Sequence, residues 1–143
     1  MELVWGVIVM IVSLLAWVGQ VLAWLAPGLA VRLSLMESEN DVEPVYWADI
    51  RGEAMWDALI LWTLPLAGLL LILDSSTWAI AGLVGGGAYL YFAGRGILTR
   101  FAMQRRGFRI GAPESVRVGM SFLGLWAVVA TITLAAAALD VAG

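Results

Sequence analysis

The chain has 143 residues, 62% of them hydrophobic and only 13% charged, and a formal net charge of −3. Soluble domains carry about 25% charged residues, so too little charge is present to solvate a globule, and a bilayer has to face the apolar surface. Cysteine and histidine are absent and all eight basic residues are arginine. That composition excludes disulfides, thiol nucleophiles, thiolate or imidazole ligation of metals or haem, and a lysine Schiff base. No cofactor and no metal is expected.

The first apolar run, residues 3–26, ends at Pro27-Gly28. Only Glu2 and Met1 precede it, and it exceeds the apolar core of about 7–15 residues that a signal peptide carries. It is therefore read as a retained span. Gly6, Ser13 and Gln20 recur every seven residues along it, with Met10, Trp17 and Trp24 on the same stripe, a seam suited to packing against protein. The second span, residues 54–73, contains Pro65, which removes a backbone donor and predicts a kink near Leu61. Asp74-Ser75-Ser76 then marks a tight turn into the third span, residues 78–97. The fourth covers residues 116–139, with Pro113-Glu114 upstream as a helix-start signal.

Every arginine falls in or beside two connections, 27–53 and 98–115. By the positive-inside rule those connections are cytoplasmic. The expected architecture is thus an all-α integral membrane protein, one transmembrane domain over 1–143. It has about four helices in an antiparallel bundle and both termini on the non-cytoplasmic side. A prokaryotic plasma membrane is the expected location.

Lipid offers no hydrophobic drive for helix association, so small residues have to permit close approach. Gly82, Gly86, Tyr89 and Ala93 share one face of the third span, and Ala127, Thr131 and Ala135 repeat every four residues on the fourth. These are the expected packing or subunit-interface residues. Polar groups inside spans are candidate functional residues because burying them is unfavourable. Gln20, Asp57, Tyr91, Arg95 and Ser121 come to similar depth, and the expectation is a cytoplasm-facing polar vestibule in which Asp57 pairs with Arg95. The alternative reading of the same residues is structural: helix-dipole complementation by Asp57, snorkelling by Arg95 and an interhelical amide bond from Gln20. Arg100, Arg105, Arg106 and Arg109, beside Phe101 and Phe108, form a juxtamembrane segment expected to meet anionic lipid. The acidic connection before Asp57 has no calcium-loop spacing, and it faces the basic one on the same side, where the two can close over the vestibule. Nucleic acid is not an expected partner.

Three functional classes follow. The leading one is a non-catalytic protein acting by assembly, as an accessory subunit of a membrane complex or as a homo-oligomer, since chemical groups are few. The second is a small transporter or channel using the vestibule. The third is a membrane enzyme acting on a lipid, which would have to rely on Asp57, Glu53, Arg95 and Tyr91 without a second embedded carboxylate to pair with Asp57. Enzymatic activity is the least expected.

Overall fold

A computed structural model describes residues 2–143. The described residues are helical almost throughout, without a strand. Helix α1 covers Glu2–Leu25, and the short α2, Pro27–Arg32, follows across a single residue. A 3-10 turn at Glu39–Asp41 leads into α3 (Pro44–Ile60), then α4 (Thr63–Ile72), α5 (Trp78–Arg105) and α6 (Pro113–Ala142). Pro27, Pro44 and Pro113 each open a helix, where the missing N–H is an orphan in any case and the fixed φ suits the first turn.

The break between α3 and α4 at Leu61-Trp62 lies four residues before Pro65. Proline cannot donate to the Leu61 carbonyl and its ring crowds that turn. Trp62 and Thr63 bond back over the break: the indole Nε1 donates to Leu59 O at 2.9 Å and the threonine hydroxyl to Ile60 O at 2.8 Å.

Three helical runs are long and apolar enough to cross a membrane: Glu2–Leu25, Pro44–Ile72 across the break, and Pro113–Ala142. The expected third span at 78–97 is not among them. Its helix α5 is 28 residues long, but Arg95, two tyrosines and six glycines dilute its apolar character. The expected connections also shrink. Segment 27–53 is not a plain loop, because α2, the 3-10 turn and ten residues of α3 lie within it, and α5 runs on to Arg105 instead of stopping near 97.

Helix α1 packs on α3 and α4, α4 on α5, and α5 along α6, while α6 returns to α1 over only a short contact. Glycines set the closest approaches. A Cβ on Gly68 would lie 2.6 Å from Met10 N, and one on Gly85 would lie 2.6 Å from the Leu64 backbone. Three donors tie the other helices to α1 or α1 to them. Tyr89 OH donates to Ser13 O at 2.6 Å, Trp126 Nε1 to Val12 O at 2.9 Å, and Trp17 Nε1 to Ala58 O at 2.9 Å. Buried indole and phenol donors need such partners, and surplus carbonyl lone pairs on helices supply them.

At one end of the bundle the two arginine-bearing connections meet. Glu43 N donates to Arg109 O at 2.8 Å, and Arg109 Nε approaches Glu43 Oε1 at 3.3 Å. Beneath them Val42, Tyr46, Ile50, Ile110 and Val116 form a small core separate from that of the bundle. Arg51 reaches across to the last carbonyls of α1, on Ala23 and Trp24, where a cation complements the helix dipole.

Candidate functional site

The short α1–α6 contact leaves a cavity of about 520 Å³ between those helices, at the end closed by the two connections. Its apolar part is made by Leu15 and Ala16 of α1, Phe92 of α5, and Val118, Phe122 and Trp126 of α6. Leu15, Val118 and Phe122 are themselves exposed on the bundle's flank, so the cavity opens sideways between α1 and α6. Gly19 and Gly119 also line it, and a Cβ at either would meet nothing within 4 Å. These two glycines face space.

The other part is polar. Gln20, Ser34, Glu37, Asp41, Glu53, Arg100 and Ser115 line it, with the Tyr46 ring. The Arg100 guanidinium lies 5.8 Å from the Tyr46 ring centroid and donates to Gly96 O at 3.0 Å. Its neighbours on the wall include three carboxylates, so the polar end carries excess negative charge. Glu37 sits against Gly111, where φ is +123° and a Cβ would come within 2.5 Å of the carboxyl carbon. Only glycine suits that close approach and that backbone conformation. Burial holds the Glu37 carboxyl above its usual range; Asp41 adds to this, while a Ser115 hydrogen bond and the Arg100 charge oppose it.

A second, smaller cleft of about 190 Å³ lies between α3 and α5. Asp49, Glu53 and Asp57 stand four residues apart on one face of α3, as helical spacing dictates. Arg95 of α5 answers two of them: Nη2 lies 2.5 Å from Asp49 Oδ1 and Nη1 2.9 Å from Glu53 Oε1. The first is a hydrogen bond, whereas the second is an ion pair without hydrogen-bond alignment. Asp57 is only 3% exposed, and its Oδ2 has no hydrogen-bond partner. Trp56, Tyr91 and Phe92 complete the cleft.

The five residues expected in one vestibule therefore separate. Gln20 faces the large cavity, whereas Asp57, Tyr91 and Arg95 line the small cleft. Ser121 lines neither; it is exposed and its hydroxyl donates to Arg117 O at 3.0 Å. The expected Asp57–Arg95 pair is replaced by pairs to Asp49 and Glu53, because α3 starts ten residues earlier than expected and puts Asp49 on the same helical face. Glu53 and Phe92 line both spaces and form the partition between them.

The expected packing or interface residues also divide. Gly82 and Gly86 do face α6, but they meet Ala137, Leu134 and Ala130, beside the buried Tyr89 and Ala93. Thr131 and Ala135 are exposed and Ala127 is half-buried, so the inner face of α6 is rotated from the one expected. The arginine segment is likewise not one patch. Arg100 points into the cavity, Arg109 pairs with Glu43, Arg105 covers the Phe101 ring at 5.4 Å, and Arg106 is exposed. Tyr46, Arg100 and Trp126 were missed as lining residues. The one available signal was that indole and guanidinium donors within apolar surroundings have to find partners.

What these residues define is an all-helical protein with apolar helices suited to a membrane and two internal spaces of unlike chemistry. Comparison with family models, with curated proteins and with solved structures returns no match.

Proposed function

We propose that this chain is a multi-pass plasma-membrane protein that holds a lipid-like amphiphile in the cavity between α1 and α6. The observation that carries this reading is the division of that cavity into an apolar half opening on the flank and a polar half beneath the two connections. A bilayer lipid has the same division, and a lateral opening admits it without passage of its tails through water. In this reading α5 is a fourth span and both termini are non-cytoplasmic. Support comes from the contact between the two arginine-bearing connections, which puts all of the basic charge at one end, as the positive-inside rule asks. The apolar shortfall of α5 is tolerable because much of its surface, including Gly82, Gly86 and Tyr89, is covered by α4, α6 and α1.

Assembly through the Gly82–Gly86 face has less support, since α6 already occupies it. Acid–base chemistry on a bound lipid also has less support, because the most buried carboxylate, Asp57, lies outside the amphiphile cavity.

The test is native mass spectrometry of the chain in mild detergent, comparing wild type with Gly19→Leu and Gly119→Leu. Both substitutions project into open space, so folding is retained while the cavity is filled. Wild type is expected to carry a lipid-mass adduct that both variants lose. A wild type without adduct, or folded variants that keep it, would sink the reading.

A further inference from the structure

The cleft between α3 and α5 belongs to no part of the amphiphile cavity except the shared wall of Glu53 and Phe92. Its charges do not balance. Glu53 and Asp57 line it with Arg95 as its one cation, and both terminal nitrogens of Arg95 are engaged by Asp49 and Glu53. Arg100, the next cation, meets Glu53 from the other space, where it lies over Tyr46 and donates to Gly96 O, and it does not line the cleft. Asp57 is left almost fully buried with an unpartnered oxygen on the cleft wall. A buried carboxylate in that condition is strongly unfavourable unless it takes up a proton or something positive joins it.

The remaining walls indicate what joins it. Trp56 and Tyr91 flank the carboxylate as exposed rings, and Phe92 backs them. Aromatic faces attract ammonium groups, tryptophan most strongly. Ring faces are not the oxygen ligands that hard metal ions require, and no group of three or more Asp or Glu among the described residues could hold a metal ion. The space is smaller than the ~300 Å³ at which drug-sized pockets begin, so the ligand is small. We infer that this cleft binds a small organic ammonium cation, with Asp57 as its counter-ion and Trp56 and Tyr91 as its aromatic walls.

Isothermal titration of the purified full chain with tetramethylammonium chloride, against sodium chloride at equal concentration, tests the assignment. Saturable binding of tetramethylammonium and none of sodium is expected. Asp57→Asn is expected to remove measurable binding. Trp56→Leu should weaken it by roughly 3- to 30-fold, the range of one cation–π contact. Trp56 is 58% exposed, so this variant still decides the matter if Asp57→Asn fails to fold. Gly119→Leu, which fills the other cavity, should bind tetramethylammonium as wild type does. Absence of saturable binding, equal binding of sodium, an unaffected Trp56→Leu, or loss in Gly119→Leu would each overturn the assignment.

Discussion

Gly85 shows how narrow the tolerances are at a single residue. Its missing side chain lets α5 rest on the backbone of α4 at Leu64 and Thr63, and a methyl group there would have to displace main-chain atoms. Gly85→Ala should destabilise the bundle by about 1–3 kcal/mol, the usual range for overpacking a close contact. Gly94→Ala, on the same helix but facing open space, should be neutral or gain about 0.5–1 kcal/mol from reduced backbone freedom. Thermal unfolding in detergent compares the two. The sequence marks all these glycines alike as small residues in a span. Which of them meets backbone and which meets nothing depends on helix rotation, which no spacing of small residues encodes.

At the scale of elements, the α3–α5 junction rests on Arg95. The guanidinium is shared by Asp49 and Glu53, and only Glu53 is nearly buried, with 9% of its side chain exposed. Arg95→Gln leaves those carboxylates facing each other without a cation. The expected loss is about 1–3 kcal/mol, below the range for a fully buried pair because about a third of the Arg95 side chain meets solvent. Chemical denaturation should report that loss, and Asp49→Asn in the Arg95→Gln background should restore part of it. That residues of α3 and α5 interact was legible, since both carry charge near one end of their expected spans. The partner was misassigned because helix α3 begins at Pro44, inside a segment whose acids and low apolarity read as loop. Proline at the first helical position was visible at Pro113 by the same rule, which Pro27 and Pro44 also obey.

For the whole molecule, the proposed orientation makes a direct statement about access. The chain has no cysteine, so single cysteines report position without background. In intact cells, Ser76→Cys in the α4–α5 turn and Gly143→Cys should react with a membrane-impermeant maleimide. Gln104→Cys, exposed at the end of α5, should react only after the membrane is opened. Reaction of all three from outside, or of Gln104→Cys alone, would reject the four-span topology.

The sequence by itself determined that this protein is helical, apolar enough for a membrane and devoid of thiol and imidazole chemistry. Those properties follow from composition and from runs longer than any soluble core helix requires, and they do not depend on which faces meet. It also singled out Gln20, Asp57, Tyr91 and Arg95 as polar groups that helical spans bury only at a cost. Only the tertiary structure decided that these residues serve two spaces, that Arg95 answers Asp49 and Glu53, and that α1 and α6 part to leave a cavity. Those outcomes rest on the rotation and depth of each helix. Rotation and depth are set by the backbone contacts at Gly68 and Gly85 and by the indole and phenol bonds to Val12, Ser13 and Ala58. Such contacts join residues far apart in the chain, where local pattern carries no information.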